Sequence, residues 1–252
     1  MDRAPLVIKV GGNEIDQEDF LAGLVAAVVE VRKGAAPVIV HGGGKEIACW
    51  QERLGLVPRF VEGLRVTDGE SLAVAEMVLS GLVNKRLVAR LVTARVPAVG
   101  LSGVDWGLIR VEKMMHPAGD LGQVGRIVAV HPEGLEALTH RGVVPVISPI
   151  SLGLDGQTYN VNADHAALAV AAALGAESLV FLTNVPGVLI DSQPVPHLTA
   201  PEAKDLIASG IIVGGMIPKV RSALEAVAAG VGQAVITDLD GLREGTGTAI
   251  MA

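Results

Sequence analysis

Little in this 252-residue chain can crosslink, chelate or span a bilayer. Its one cysteine, Cys49, excludes an internal disulfide and a thiolate metal cluster, and points to a reduced, cytoplasmic setting. The six histidines are scattered, with no metal-ligand spacing. Aromatic residues are 2% of the chain against 50% hydrophobic residues, so the core must be built from Val, Leu, Ile and Ala. That composition suits buried parallel strands covered by alanine-rich helices. The longest strongly apolar helical run, AALAVAAALG near residue 170, is too short to cross a membrane, and the N-terminus enters LVIKV at 6–10 without signal-peptide architecture. A formal net charge of −7 argues against general binding to nucleic acid or anionic membranes.

What is present is an alternation of strand and helix. Short, mostly apolar runs ending near Gly, Ser, Thr, Asn or Asp predict strands at 6–10, 37–40, 97–102, 143–150, 178–183 and 233–237. Helical patterns fall between them at 17–32, 45–54, 71–93, 162–174, 200–208 and 219–229. In the third helix Leu72, Ala75, Leu79, Leu82 and Val83 follow helical spacing on one face, which makes it either a candidate dimer surface or an ordinary core helix. The alternation implies an α/β fold with a mainly parallel sheet and helices on both faces. Residues 57–66 and 106–130 carry turn signals between short β-like runs and are expected to project as hairpins, the usual material of a lid. Gly175 and Ala176 close a helix before the next strand, dividing the chain into lobes 1–176 and 177–252.

Two strands run out into glycine. VIVHGGGKEI, at 38–47, gives up three successive side chains at Gly42, Gly43 and Gly44; KVGGN, at 9–13, does so at Gly11 and Gly12. Glycine contributes no packing and costs conformational entropy, so bare backbone is wanted there. The pattern is not a P-loop: Ile39 stands where the first glycine should be, and Glu46 follows Lys45 in place of Ser or Thr. No G-x-G-x-x-G opens a helix after the first strand, so a dinucleotide fold is a poor match. Two glycine turns at the carboxyl edge of a sheet, with Lys9 on one of them, favour an anion site made of backbone amides and helix N-termini.

The motifs KVGGN, HGGGKEI, GLRVTD, PVISPISLGLDGQTYNVNAD, LTNVPGVL, GGMIPKV and GTGTAI occur in an order that resembles the amino acid kinase family over nearly the whole chain. The resemblance implies an open αβα sandwich with an amino-acid lobe followed by an ATP lobe. Within the family the likeness is to the branch that phosphorylates the γ-carboxylate of N-acetyl-L-glutamate with ATP and magnesium, the second step of arginine biosynthesis. It implies that Lys9 and Lys219 stabilise the migrating phosphoryl group and that Asp164 holds those lysines in place. It also implies that Gly43, Gly44, Arg65 and Asn160 contact acetylglutamate and that Gly11 and Gly12 lie beside the phosphates. The nucleotide is expected at 184–189 and 211–213, including Asn184, Gly187, Leu189, Ile211 and Val213.

Each of these residues also has a plainer reading. Lys9, among Val and Ile, must find a partner or water. Lys219 could be a solvated first-turn lysine, Asp164 an acid favouring a helix N-terminus, and Arg65 a surface charge. His41 reads as a hydrogen-bonded structural histidine. Asn184 stands where the resembled branch usually has Asp, and Asn13 where a small or apolar residue is common. An aminoadipate-derivative kinase of lysine biosynthesis is the runner-up, and a silent amino-acid sensor on the same fold is the rival from another class. The family's arginine feedback goes with a helix ahead of the first strand; with five residues before Leu6, an arginine-insensitive homodimer is expected.

Overall fold

The computed structural model describes residues 3–12, 15–61, 64–191 and 193–251, without the side chains of Leu64 and Arg65. The first half runs β1 (Pro5–Val10), α1 (Glu18–Val31), β2 (Ala36–His41), α2 (Gly44–Arg53), β3 (Arg59–Val61) and β4 (Leu64–Val66). A long helix follows in three contiguous parts: α3 (Gly69–Glu76), a π-helical segment (Met77–Val83) and α4 (Asn84–Thr93). Then come β5 (Ala98–Gly103), β6 (Ile109–Lys113), β7 (Gly125–Val130), α5 (Glu133–His140), β8 (Val144–Gly153), β9 (Thr158–Asn160) and α6 (Ala163–Ala173). The last third holds β10 (Ser178–Leu182), β11 (Leu189–Ile190), β12 (Gln193–Pro194), β13 (His197–Thr199), α7 (Ala200–Ala208), α8 (Met216–Ala228), β14 (Gln233–Thr237), α9 (Leu239–Glu244) and β15 (Thr248–Met251).

Eleven strands form one sheet in the order β13-β15-β14-β10-β1-β2-β8-β6-β7, with β5 and β9 also paired to β8. The five central strands, β14 to β8, are mutually parallel, so their carboxyl ends share one edge. β1 lies between β2 and β10, and the chain order reverses across it. This is the topological switch point at which open α/β sheets bind ligands.

Period-2 alternation along β1 sorts its side chains onto the two faces. Val7 joins a core with Ala166, Ala167 and Val170 of α6 and Val220 and Ala223 of α8. Ile8 and Val10 join the opposite core, with Leu21 and Leu24 of α1 and Leu72, Leu79 and Leu87 of the long helix. Lys9 therefore points to the α6 side, in register with Val40 and Phe181. The small side chains of α6 let that helix pack close to β1. Side-chain caps hold the start of α6 through Asn162 and of α7 through a Thr199–Glu202 capping box, each worth about 1 kcal/mol.

The segment 57–66 forms a separate β3–β4 hairpin, off the main sheet. Residues 106–130 depart from expectation. Instead of projecting, β6 pairs in parallel with β8 and β7 becomes the sheet's last strand. Ile109 and Val111 explain the difference, since both are fully buried against the α6-side core. No helix among the described residues is long and apolar enough to cross a membrane.

Candidate active site

At the exit of β1 the Lys9 ammonium lies 2.7 Å from Asp164 Oδ1, on the second residue of α6. The oxygen is buried and off the hydrogen-bonding direction, so the contact is chiefly Coulombic. Asp164 is placed by its own backbone, which donates to Asn162 Oδ1 at 2.7 Å. Lys219 sits half-buried in the first turn of α8, one residue past Pro218, and makes no ion pair among the described residues. α6 and α8 share a core, and both start at this edge of the sheet. Asp164 thus engages one of the two lysines directly.

The two glycine turns touch. A Cβ on Gly12 would stand 2.7 Å from the Gly43 nitrogen, 2.8 Å from its Cα and 2.9 Å from the Gly44 nitrogen. The Gly42 amide donates to the Val10 carbonyl at 2.9 Å, tying the two exits together. The glycines of the second turn are required for different reasons. A Cβ at Gly43 would meet Leu79 Cδ2 at 2.7 Å, whereas at Gly44 it would meet nothing within 4 Å. The π-helical segment delivers Leu79 to Gly43 and sets Ser80 Oγ 2.7 Å from Ser148 Oγ. Asn13 lies outside the described residues.

Behind the second turn is a buried polar node, where Lys85 Nζ donates to Asn84 Oδ1 at 2.9 Å. Asn84 Nδ2 donates to His41 Nε2 at 3.2 Å, leaving Nδ1 to carry the proton toward the Gly42 carbonyl at 2.9 Å. Complete burial pushes the imidazole down to about 4 from its usual 6.5.

The other expected contacts fall into two groups around this centre. Asn160 ends β9 with its Nδ2 3.5 Å from Thr67 Oγ1, and Thr67 follows the hairpin that carries Arg65. The Thr67 backbone is fixed to Leu121 and Gln123, so hairpin, loop and β9 meet here. Arg65 lies on β4, and its side chain is outside the described residues. On the far side of β1, Asn184 follows β10 and is exposed; with Phe20, Thr183, Asp238, Leu239 and Asp240 it lines a cavity of about 170 Å³. Gly187 is needed where it stands, because a Cβ there would approach Thr248 Oγ1 to 2.5 Å. Leu189, Ile211 and Val213 are exposed apolar residues of the last third of the chain. A cleft of about 360 Å³ lined by Arg3, Arg32, Glu136 and His140 lies at the opposite, amino edge. There α1 and α5 end, and helix C-termini disfavour anions.

Sequence reasoning missed the side chains that brace the first turn. Lys45 Nζ pairs with Asp16 at 2.9 Å and holds its carboxyl below the usual range. Arg86 of α4 pairs with Glu46 and also reaches the Ile15 carbonyl at 3.4 Å. These links join elements distant in sequence, and no local spacing announces them.

The description "Amino acid kinase family" belongs to a family model that matches residues 4–238. The chain is similar to the acetylglutamate kinase of Roseiflexus castenholzii, 58% identical over 247 residues, covering 98% of this chain and 94% of that one. It is similar also to the acetylglutamate kinase of Methanopyrus kandleri, 48% identical over 252 residues, covering 97% and 99%. Among solved structures, smu.665 from Streptococcus mutans UA159 matches with a TM-score of 0.83 at 32% identity, covering 98% of each chain.

Proposed function

The chain belongs to the amino acid kinase family, and from that premise we propose that it phosphorylates the γ-carboxylate of N-acetyl-L-glutamate with ATP. The products are N-acetyl-L-glutamyl 5-phosphate and ADP, the second step of arginine biosynthesis. The observation that carries this reading is the Lys9–Asp164 pair at the switch-point strand, beside two glycine turns in backbone contact.

The acceptor is a carboxylate with a reference pKa of about 4, ionised at neutral pH, so no general base is required. The obstacle is electrostatic, because an anion must approach the terminal phosphate of a polyanion. Positioning and charge neutralisation then make up most of the catalysis. Lys9 and Lys219 take the role of neutralising the migrating phosphoryl group. Asp164 acts as organiser of Lys9, not as proton acceptor. Gly11 and Gly12 face the phosphates; Gly43, Gly44 and Asn160 face the acceptor. Arg65 forms a fork to the acceptor's other carboxylate, which a lysine could not reproduce. The nucleotide lies over Asn184, Gly187, Leu189, Ile211 and Val213, whose exposed apolar members offer cover to the base. Magnesium enters with ATP, as part of the nucleotide substrate.

The same reading keeps two lobes, 1–176 for the acceptor and 177–252 for ATP, on one continuous sheet. It also keeps a homodimer on the long helix, but not on the stripe read from the sequence: Leu72, Ala75, Leu79 and Val83 are buried in the core, which leaves Leu82 with Met77 and Val92 exposed for a partner. Offering acetylglutamate, acetylaminoadipate and free glutamate in turn with Mg–ATP tests the acceptor. ADP release is expected to be fastest with acetylglutamate. Retained ligand binding without acetylglutamate-dependent ADP would instead favour a non-catalytic sensor.

A further inference from the structure

We infer that Arg86 is a positioning residue for phosphoryl transfer, holding the Gly11–Gly12 turn in register with the acceptor turn; this rests on the reading above. Arg86 lies in α4 and is not among the residues assigned a contact with substrate. Its Nη1 nonetheless ties two elements of the site, donating to Glu46 in the first turn of α2 and to the Ile15 carbonyl three residues beyond Gly12. Ile15 is fully buried in the core beneath α1, so its carbonyl is a firm anchor. At the other end of the loop, Val10 is held by the Gly42 amide. The chain is therefore held at Val10 before the glycines and at Ile15 after them, and the second hold is made by Arg86.

The electrostatics point the same way. Glu46 is 9% exposed, and its Oε2 has no hydrogen-bond partner. A buried carboxylate one turn from the acceptor glycines would repel both anionic substrates unless compensated, and Arg86 is its cation. The neighbouring Lys45–Asp16 pair spans the same two elements but is largely exposed, where such pairs contribute little. Arg86 thus performs two tasks through one nitrogen: it neutralises Glu46 and fixes the phosphate-side loop.

The test is steady-state kinetics on the full chain, with melting temperature recorded for each variant. The double variant Arg86→Met with Glu46→Leu removes both charges together, a replacement that buried ion pairs generally tolerate. It is expected to melt near the wild type and to lose about 10- to 100-fold in kcat, since displacements of an ångström cost up to that much. KM for ATP should rise more than KM for acetylglutamate. Arg90→Met is the control: Arg90 is one turn along the same helix and bonds to Glu18 of α1, away from the glycine loop. Its kcat should stay within about twofold. If the double variant does not fold, Arg86→Gln, too short to reach either Glu46 or Ile15, carries the same expectation. Wild-type turnover with kcat unchanged in the variants overturns this inference alone. Wild-type protein that forms no acetylglutamate-dependent ADP overturns it together with the function proposed above.

Discussion

Gly44 and Gly12 make opposite demands on alanine, and the pair separates packing from ligand access. Gly44 is the first residue of α2, outside the left-handed region, with nothing within 4 Å of an added Cβ. Alanine there should fold without strain and stabilise by up to about 1 kcal/mol through reduced backbone entropy. That corresponds to a rise of up to about 4 °C in a chain of this size. If the acceptor occupies the space beside Gly44, the same methyl overpacks the complex by about 1–3 kcal/mol, roughly 5- to 150-fold in KM for acetylglutamate. At Gly12 the methyl meets backbone at 2.7 Å, where ordinary contact begins at 3.4 Å, so the turns must part by 0.7 Å (3.4 − 2.7). Such a shift is expected to lower the melting temperature and reduce kcat by up to about 100-fold. Differential scanning fluorimetry and a coupled ADP assay read both quantities. A Gly44→Ala enzyme with normal KM and kcat would show that the open space is not ligand space, and the backbone-access reasoning would fall.

Lys9→Ala should keep its fold and lose about 100- to 1,000-fold in kcat, the typical effect of deleting one preorganised donor; near-normal turnover would remove Lys9 from the chemistry. Burial holds the His41 imidazole at about 4 against 6.5 unfolded, so the unfolded chain takes up the proton first and stability falls as pH drops from about 6.5 toward 4. At ~1.36 kcal/mol per unit over the 1.5 units from 6.5 to 5, His41→Gln should remove about 2 kcal/mol of pH dependence in urea titrations; parallel slopes would refute it. Met77→Glu with Val92→Lys should convert a dimer to monomers by light scattering, and a monomeric wild type would overturn the placement of the interface.

The central strands and the glycine turns were legible because each is set by local chemistry: β-branched runs make strands, and missing side chains mark close backbone approach. Lys9 stood out for the same reason, as a cation in an apolar strand. Edge elements were not legible. β13 and β15 have three and four residues and exist through pairing with each other and with β14. α9 has six residues, set by the Asp238 cap and a left-handed Gly245. α5, Glu133–His140, buries a single hydrophobic residue, Leu135, too little for a periodic signal. α8 starts at Met216, three residues ahead of the helical pattern at 219–229, and takes in Pro218, whose missing N–H costs nothing in a first turn. The π-helical segment has no sequence signature at all, yet it decides that Leu79 fills the place a side chain on Gly43 would need, leaving only the backbone of that residue available.

α8 offers a way to ask whether the site is electrostatically poised for an anion. Among the described α-helices that start from a loop rather than continue another helix, it alone has neither a side-chain cap nor an acid in its first turn, and it carries Lys219 there instead. Both features work against folding, because a capping side chain contributes about 1 kcal/mol and a cation at a helix N-terminus opposes the macrodipole by roughly 0.3–1 kcal/mol. A helix that forgoes both has an unneutralised positive end, here at the same sheet edge as Lys9. Gly215→Asp tests whether that end serves the nucleotide. Gly215 has φ −67° and nothing within 4 Å of an added Cβ, so aspartate fits without strain. It should stabilise the free protein by about 0.5–1 kcal/mol through the dipole while raising KM for ATP at least tenfold by repelling the phosphates. A more stable variant with unchanged ATP kinetics would mean that the bare start of α8 is incidental. Lys219 would then have to act without the helix behind it.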